Sequence, residues 1–487
     1  MTATLPATLD KHLLRELMSI VGHDYVLHEP SDLMVFEYDA TIGRSMPQVV
    51  VLPATAEQVS EVVKLAHAYG LPVTPRGAGT GLSGGAIPEM GGLVLAMGRM
   101  KRILEVDHQE GVALVEPGVV NLDLSRAVQP YGLYFAPDPA SQRACTVGGN
   151  VAENAGGPHC LAYGVTTNHV LGLELVLANG EIAWVGGRIR DLPGYDLTGA
   201  VIGSEGTLAI VTKILVRLLR LPEAVRTLLA VFEEMDQASN AVSAIIGQGV
   251  VPAALEMMDR EVIQAVEATL HVGFPMDAGA VLLIEVEGLR EAVAEEGDAV
   301  EKICRDQGAR EVRVAEEGPE RDRLWAGRKG AIGALGQLAP NYYVLDGTVP
   351  RTRLPEVLRQ VGRVGEKYGF RIANVFHAGD GNLHPNILFD ARQPGETQRV
   401  VEAGGEIMRI CVDAGGTITG EHGIGVEKRK YMSWLFSDDD LEAMSRLKTV
   451  FGAGEFFNPG KMFLPAQGLG GAGEEQMTRS TGPADHV

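Results

Sequence analysis

The sequence predicts an α+β protein, and three observations carry this prediction. Its 487 residues suit two or three domains. In the first half, short β-type runs between residues 93 and 116 precede a hairpin that turns at Asn179-Gly180. From about residue 226, strands alternate with longer helices. This second pattern is typical of an antiparallel sheet flanked by helices.

Changes in these patterns divide the chain into four segments. An N-terminal helical segment, 1–48, contains an amphipathic pattern at 8–21. The first larger domain is expected at 49–222 and the second at 223–463. The glycine-rich, polar segment 464–487 is expected to be a disordered tail.

Local signals place the individual elements. A buried strand is expected at Val49–Leu52, and Thr55–Gln58 forms a capping-box pattern that opens a helix ending at Gly70. The other expected helices are 121–131, 236–247, 291–307 and 317–337, and the other main strands are 93–97, 103–107, 112–116, 170–178, 181–185, 207–218, 228–232, 254–258, 281–286, 372–377 and 384–389.

Composition excludes several classes of function. The 42 Lys and Arg residues against 63 Asp and Glu give a net charge of −21, which would repel nucleic-acid phosphates. No apolar run reaches the roughly 18 residues of a membrane-spanning helix. The four cysteines lie far apart and form no C-x-x-C, so neither a disulfide framework nor a cysteine-ligated iron–sulfur cluster is expected. We therefore expect a cytoplasmic protein.

The segment Pro75–Ala86 has five glycines within nine residues. Such a loop lets backbone N–H groups converge on an anion such as a diphosphate. It contains both G-x-G-x-x-G and G-x-S-x-G, but each motif requires a helix after it. Pro88 and Gly91-Gly92 prevent that helix. We expect an open anion-binding loop, with a plain surface turn as the alternative.

Three further loops in this domain have the same character: Pro137–Ser141, Gly148–Gly157 and Gly203–Thr207. Their short side chains and Asn amides suit a flat, polar ring system that needs close approach and several hydrogen bonds. Ordinary turn chemistry could explain any one of them. Four such loops in one domain predict a cofactor site.

Two histidines flank a glycine-rich turn in the second domain. If residues 379–382 form the turn, His377 and His384 oppose each other directly across a hairpin. Their β-carbons would then be about 5 Å apart, close enough to share a metal ion. Glu421 can complete a His-His-carboxylate site that leaves positions open for substrate. Two structural histidines in a polar turn are the alternative.

The chain resembles the FAD-linked oxidases from about residue 30 to 463. The four loops of the first domain look like an FAD-binding domain of the vanillyl-alcohol-oxidase type, and the second half looks like the C-terminal domain of the family. The supporting motifs, in the expected order, are LEMMD at Leu255–Asp259, LWAGR at Leu324–Arg328, FHAGDGNLH at Phe376–His384, GEHGIG at Gly420–Gly425 and NPGK at Asn458–Lys461. The resemblance implies a two-part FAD-binding domain followed by an α+β substrate domain.

The resemblance implies non-covalent FAD. Members with covalent flavin use a His or Cys, often a His in the diphosphate loop, and residues 75–86 contain no His. Cys145 and Cys160 are the open points. The expected FAD-binding residues are Arg76, Gly77, Ala78, Gly79, Thr80, Gly81, Ser83, Gly84, Pro137, Asp138, Ser141, Gly148, Gly149, Asn150, Asn154, Gly203, Glu205, Gly206, Ile210 and Asn458.

A divalent metal such as zinc is implied on His377, His384 and Glu421, because relatives with this motif place one there. A 2-hydroxy acid suits such a site. Its carboxylate and hydroxyl oxygens can chelate the metal, which lowers the pKa of the hydroxyl and fixes the direction of the Cα–H bond.

Three further residues receive expected catalytic roles. His422 is the expected base for the hydroxyl proton, although it could merely orient its neighbour Glu421. Arg328 is expected to pair with the substrate carboxylate, with a surface ion pair as the alternative. Asn386 is a candidate for substrate contact or a structural strand residue. Hydride would pass from Cα to the flavin N5.

Ile332 and Val344 are apolar where relatives acting on 2-hydroxyglutarate have polar and basic residues, which favours a small acid. The resemblance therefore implies a catalytic flavoprotein subunit that oxidises glycolate to glyoxylate, with D-lactate as the alternative substrate. It also implies an iron–sulfur partner subunit and a second flavin-binding-type subunit, which can hold the chain at the inner membrane. From another class, a zinc hydrolase with merely structural glycine loops is the rival hypothesis.

Overall fold

The computed structural model describes residues 9–189, 193–315 and 318–464. The helices are α1 (Lys11–Val21), α2 (Pro30–Leu33), α3 (Ala56–Ala68), α4 (Asn121–Val128), α5 (Val147–Glu153), α6 (Cys160–Tyr163), α7 (Leu197–Val201), α8 (Met235–Gly247), α9 (Arg260–Leu270), α10 (Arg290–Asp306), α11 (Pro319–Ala334), α12 (Leu354–Tyr368), α13 (Glu396–Asp413) and α14 (Asp438–Val450). The strands are β1 (Val26–Leu27), β2 (Val49–Val51), β3 (Val73–Arg76), β4 (Leu93–Ala96), β5 (Ile103–Asp107), β6 (Val112–Val115), β7 (Leu133–Tyr134), β8 (Val170–Val176), β9 (Ile182–Gly186), β10 (Ile210–Arg217), β11 (Leu219–Arg220), β12 (Ala224–Phe232), β13 (Ala254–Asp259), β14 (Ala280–Gly288), β15 (Glu311–Ala315), β16 (Asn341–Val344), β17 (Gly347–Thr348), β18 (Arg371–His377), β19 (Asn382–Leu383) and β20 (Pro385–Phe389). Two groups of predictions fall outside the described residues. They are the expected tail, except for its first residue 464, and the expected starts of helices at residues 8 and 317.

The N-terminal half contains two main sheets. The first has the order β1-β2-β4-β3, and β2, β3 and β4 run parallel. The second is antiparallel, in the order β5-β6-β10-β8-β9. Its β8–β9 hairpin turns at Asn179-Gly180, which confirms that prediction.

Helix α3 shows how local sequence sets an element of the first sheet. Thr55 caps the helix by accepting a hydrogen bond from the backbone N–H of Gln58, as the capping pattern predicts. The Gln58 side chain instead accepts from the backbone of Ala54. The apolar face of α3 packs on β2 and β4, where Val62 and Leu93 are fully buried. The chain leaves the helix at Gly70, whose φ of +61° confirms the expected stop.

The C-terminal half is built on a large antiparallel sheet in the order β15-β12-β14-β13-β18-β19-β17, extended by β16 and β20. Alternate residues of β12 face opposite sides. Leu228 packs in a core with α8, α10, α12 and α13, whereas Leu229 packs in a core with α9 and α11. The predicted antiparallel sheet flanked by helices is confirmed; α9 and β15 were not predicted.

The hairpin that carries the two histidines has a tighter turn than expected. His377 pairs with Asn382, so the direct opposition of His377 and His384 is wrong. However, His384 lies two residues after Asn382 and therefore on the same face of the chain. The two imidazole rings still meet, with centroids 5.1 Å apart.

After α14 the chain returns to the N-terminal half. Phe457 forms a parallel bridge with Val73 and is fully buried in the core of the first sheet. The side-chain amide of Asn458 donates to the carbonyl oxygens of Gly85 at 2.8 Å and Glu205 at 2.7 Å. The final described segment thus ties together two of the loops that the sequence singles out.

Candidate active site

The glycine-rich loops converge on one cleft between the two halves. The N-terminal half contributes, among the expected residues, Arg76, Gly77, Ala78, Gly79, Thr80, Gly81, Ser141, Gly148, Gly149, Asn150, Glu205, Gly206 and Ile210. The C-terminal half contributes Arg328, Ile332, His377, His384, Glu421 and His422. Both predicted sets of residues therefore meet at the same cleft.

The loop after β3 has the open form that the sequence predicts, with no helix following it. Gly79 has a φ of +71°, and a Cβ there would overlap the guanidinium of Arg76. A Cβ on Gly77 would overlap the hydroxyl of Thr146, which caps α5 by accepting from the N–H of Gly149. Glycine at these two positions lets the loop pack closely against Arg76 and Thr146 while its backbone lines the cleft.

Several expected cofactor residues are not among the residues that line the cleft. They are Ser83, Gly84, Pro137, Asp138, Asn154, Gly203 and Asn458. Their contacts support loops instead. The carbonyl of Pro137 accepts from Asn121, and the Asn154 side chain accepts from the N–H of Thr167. The same types of polar turn residue line a cofactor cleft and hold loops in place. The sequence pattern alone therefore does not separate cofactor-binding residues from loop-supporting ones.

The predicted metal ligands come together as a compact group. Nε2 of His377 lies 3.0 Å from Oε1 of Glu421, and Nε2 of His384 lies 3.3 Å from the same oxygen. Among the described residues, the buried Nε2 of His384 has no hydrogen-bond partner. Burial raises the pKa of Glu421, but the neighbouring histidines outweigh it and lower this pKa to about 2. Two imidazoles and an ionised carboxylate form a donor set that fits a divalent metal.

Glu256 connects this group to Arg328. Its carboxylate is fully buried and accepts from Nδ1 of His377 at 2.8 Å, while Nη2 of Arg328 lies 2.5 Å from its other oxygen. A proton fixed on Nδ1 leaves Nε2 of His377 available as a ligand. Arg328 is 3% exposed, so the surface ion pair considered as its alternative is wrong. Its buried Nε has no partner among the described residues.

His422 lies beside these ligands with its own support. Its ring stacks on His384 with centroids 4.7 Å apart, and its backbone N–H donates to Asp346 at 2.9 Å. Lys428 also binds Asp346, with its Nζ 2.9 Å from the carboxylate. Burial lowers the pKa of His422 to about 4. A neutral imidazole at the cleft can accept a proton at neutral pH.

Two expected substrate-facing residues do not line the cleft. Asn386 is fully buried, and its side-chain amide donates to the carbonyl oxygens of Ala373 and His384. Val344 pairs with Asn386 between β16 and β20. Asn386 therefore holds the backbone at His384, between β19 and β20, and does not face the substrate position. Ile332, in contrast, lines the cleft one turn after Arg328 on α11.

Several residues of this site were not among the expected ones. Thr146 and Glu153 line the cleft, and Glu256 and Asp346 support its histidines. Cys145, an open point for a covalent flavin link, also lines the cleft. Thr146 could have been found as a helix cap three residues before Gly149. Asp346 stands in no recognisable motif, and only its position in the fold assigns it to the site.

The fold is of the vanillyl-alcohol-oxidase type. The solved structure of p-cresol methylhydroxylase with substrate bound superposes with a TM-score of 0.80 at 17% sequence identity, covering 95% of this chain and 99% of that one. The expected fold class is therefore confirmed. None of the helices in the described ranges has the length and apolar character needed to cross a membrane.

Sequence comparisons narrow this class. Residues 47–186 match the FAD binding domain family, and residues 221–462 match the C-terminal domain of the FAD linked oxidases. The chain is 47% identical to the glycolate oxidase subunit GlcD of Escherichia coli (strain K12), covering 90% of this chain and 88% of the relative. It is 36% identical to the D-lactate dehydrogenase of Archaeoglobus fulgidus, covering 89% and 96%.

The chain belongs to the FAD-linked oxidase family, as the resemblance predicted. It is an FAD-dependent oxidoreductase, and the rival hypothesis of a zinc hydrolase with structural glycine loops is wrong.

Proposed function

We propose that this chain oxidises glycolate to glyoxylate with non-covalent FAD and a divalent metal such as zinc. The observation that carries the proposal is the convergence of His377, His384 and Glu421 with Arg328 and His422 on the cleft that the glycine loops line. The relative at 47% identity, a glycolate oxidase subunit by name, supports glycolate over the D-lactate of the more distant relative.

The residues around the cleft fit FAD. Gly77 and Gly79 line the cleft with backbone alone, and the buried side-chain nitrogen of Asn150 has no partner among the described residues. Bound FAD supplies the two-electron acceptor of the reaction. Cys145 lines the cleft, but burial raises the pKa of its thiol to about 11, which disfavours the thiolate needed for a covalent link. These observations support non-covalent binding.

The residues fit a metal as well, because Nε2 of His384 makes no hydrogen bond among the described residues and lies 3.3 Å from the ionised Glu421. A metal held there would polarise the substrate hydroxyl and lower its pKa. The chain itself holds the ligands in place. Glu256 keeps a proton on Nδ1 of His377, and the ring of His384 is packed against that of His422.

Arg328 and His422 act on the substrate directly in this proposal. Arg328 lines the cleft and Glu256 holds its Nη2, so the guanidinium is fixed where it can receive a carboxylate. His422 takes the hydroxyl proton in this proposal, because its imidazole lines the cleft beside Glu421 and is neutral at neutral pH. Ile332 gives the cleft an apolar wall near Arg328, which suits an acid without a second carboxylate.

The proposal includes partner proteins. The name of the Escherichia coli relative describes a subunit of a larger enzyme. The four cysteines of this chain form no cluster motif, which is consistent with electrons leaving through another protein. We propose an iron–sulfur subunit as the acceptor and a second flavin-binding-type subunit beside it, which together hold the chain at the inner membrane.

A comparison of the wild-type protein with His422→Asn tests the catalytic assignment. We expect the rate of flavin reduction by glycolate, followed anaerobically by the loss of flavin absorbance, to fall by about 10²–10⁴-fold in the variant. FAD and metal contents should stay unchanged, because His422 belongs to neither predicted binding set. An unchanged reduction rate would show that another group takes the proton.

A further inference from the structure

Glu153 is a carboxylic acid that lines the cofactor cleft and has no role in the reaction described above. It is the last residue of α5, and its carboxyl group lies among glycines from both halves of the protein. A Cβ on Gly85 or on Gly423 would overlap one of its oxygens, and Gly81 is also close. The side chain therefore bridges the anion-binding loop and the loop that carries Glu421 and His422.

A second carboxylate, that of Glu205, lies close to Gly423 as well. Glu205 accepts hydrogen bonds from the backbone N–H groups of Ile424 at 2.6 Å and Gly425 at 2.7 Å, which stabilise its ionised form. For Glu153, by contrast, the hydrogen bond among the described residues is one from the Ser83 hydroxyl at 3.3 Å. Of two neighbouring carboxylates, the one with fewer donors keeps the proton.

The other charges around Glu153 agree with this assignment. Asp39 lies near Glu153 and, like Glu205, raises its pKa, whereas Lys428 lowers it. Burial and the two carboxylates raise the pKa of Glu153 well above its usual range. Lys428 is already bound to Asp346, and Lys461 donates to the carbonyl oxygen of Ile87. Neither lysine forms a hydrogen bond with Glu153 in the described part of the chain.

We propose that Glu153 is a cofactor-binding residue that presents a protonated carboxyl group to FAD and donates its O–H to an acceptor atom of the cofactor. FAD carries a diphosphate and several carbonyl oxygens, so an ionised carboxylate on the cleft wall would repel it, and a protonated one binds it. The proposal rests on FAD binding and not on which acid the protein oxidises.

The affinity of the apoprotein for FAD tests this proposal. FAD titrations, followed by flavin fluorescence, would compare the wild-type protein with Glu153→Gln and Glu153→Leu. Glu153→Gln keeps a neutral donor, so we expect its Kd within about 3-fold of the wild-type value. Glu153→Leu removes the donor, and its Kd should rise by about 10-fold.

Two outcomes would overturn the proposal. If Glu153→Leu binds FAD as tightly as the wild-type protein, the side chain does not bind the cofactor. If Glu153→Gln binds FAD as weakly as Glu153→Leu does, the site requires the ionised carboxylate. Glu427→Gln is the matched control, because Glu427 is another buried acid, its pKa is raised to about 7 by burial, and it does not line the cleft. Its Kd should equal that of the wild-type protein.

A second measurement does not depend on the leucine variant folding. The infrared spectrum of the holoprotein should contain the C=O stretching band of a protonated carboxylic acid that is absent from Glu153→Gln. If the two spectra agree in that region, Glu153 is ionised and the proposal fails. Neither experiment uses glycolate, so a protein that binds FAD as expected but does not oxidise glycolate would overturn the proposed function alone.

Discussion

Nδ1 of His377 donates a hydrogen bond to Oε1 of Glu256 across 2.8 Å, and both side chains are buried. The same carboxylate pairs with Arg328. One acidic residue on β13 therefore orients a proposed metal ligand and the proposed substrate arginine together. Any change to Glu256 should affect metal binding even though Glu256 does not touch the metal position.

Replacing Glu256 with Gln should weaken metal binding by about 10–100-fold, because His377 loses the charged partner that fixes its tautomer and raises its basicity. Zinc titration against a competing chelator measures this effect. Glu116→Gln is the control, since Glu116 is also buried but pairs with Arg102 in the N-terminal half. Equal metal affinity in Glu256→Gln and wild-type protein would contradict the assignment.

His159 makes the stability of the protein depend on pH. Its Nδ1 lies 3.0 Å from Asp138 in the N-terminal half, and its Nε2 lies 3.5 Å from Glu285 in the C-terminal half. Burial opposes the charged imidazole, but the two carboxylates outweigh it and raise the pKa of His159 to about 10. In the unfolded chain the pKa of a histidine is about 6.5. The stabilisation that charged His159 gives the folded protein is therefore complete below about pH 6.5 and is lost as the pH rises towards 10.

His159→Gln should therefore lower the Tm more at pH 6 than at pH 10. Thermal unfolding of both proteins at the two pH values measures the difference. A loss of Tm that is the same at both values would mean that His159 is neutral in the folded protein.

Ile332 should control the size of the acid that the cleft accepts. Ile332→Ala should raise the ratio of kcat/KM for 2-hydroxybutyrate over glycolate by about 10-fold, because it opens space for the additional methylene groups. Val344→Ala is the matched control, since Val344 lies in β16 and is not among the residues lining the cleft. A larger change in Val344→Ala than in Ile332→Ala would contradict our placement of the substrate.

Phe457 should anchor the last described segment to the N-terminal half. It is fully buried, so Phe457→Ala should lower the free energy of unfolding by about 3–5 kcal/mol. Urea denaturation measures this loss. Phe436→Ala provides the comparison. Phe436 is 37% exposed, so its replacement should lower the free energy of unfolding far less. If both variants lose a similar free energy of unfolding, the packing of the last described segment on the N-terminal half contributes little to stability.

The sequence predicted the features that depend on local chemistry. The capping pattern at Thr55, the Asn179-Gly180 turn and the open loop after β3 follow from short-range rules, and the structure confirms them. The meeting of His377, His384 and Glu421 was also predicted, although through the wrong hairpin register. The register failed because a shift of two residues, from His384 to Asn382 as the partner of His377, leaves both histidines on one face and the sequence pattern unchanged.

Residues that act through tertiary contacts escaped prediction. Glu256 and Asp346 become site residues only when β13 and the segment after β16 lie beside the histidines. Asn386 was expected at the substrate but bonds to backbone carbonyls inside the sheet. A buried strand Asn and a substrate-binding Asn look alike in sequence, because the difference is the direction of the side chain.

The most direct test of the account is the anaerobic visible spectrum of the purified protein before and after the addition of glycolate, then of D-lactate to a fresh sample. The account predicts a flavin band that glycolate bleaches, and bleaches faster than D-lactate does. A flavin band that glycolate leaves unchanged would contradict the proposed substrate. A protein that shows no flavin band after reconstitution with FAD would contradict the assignment of the cleft itself.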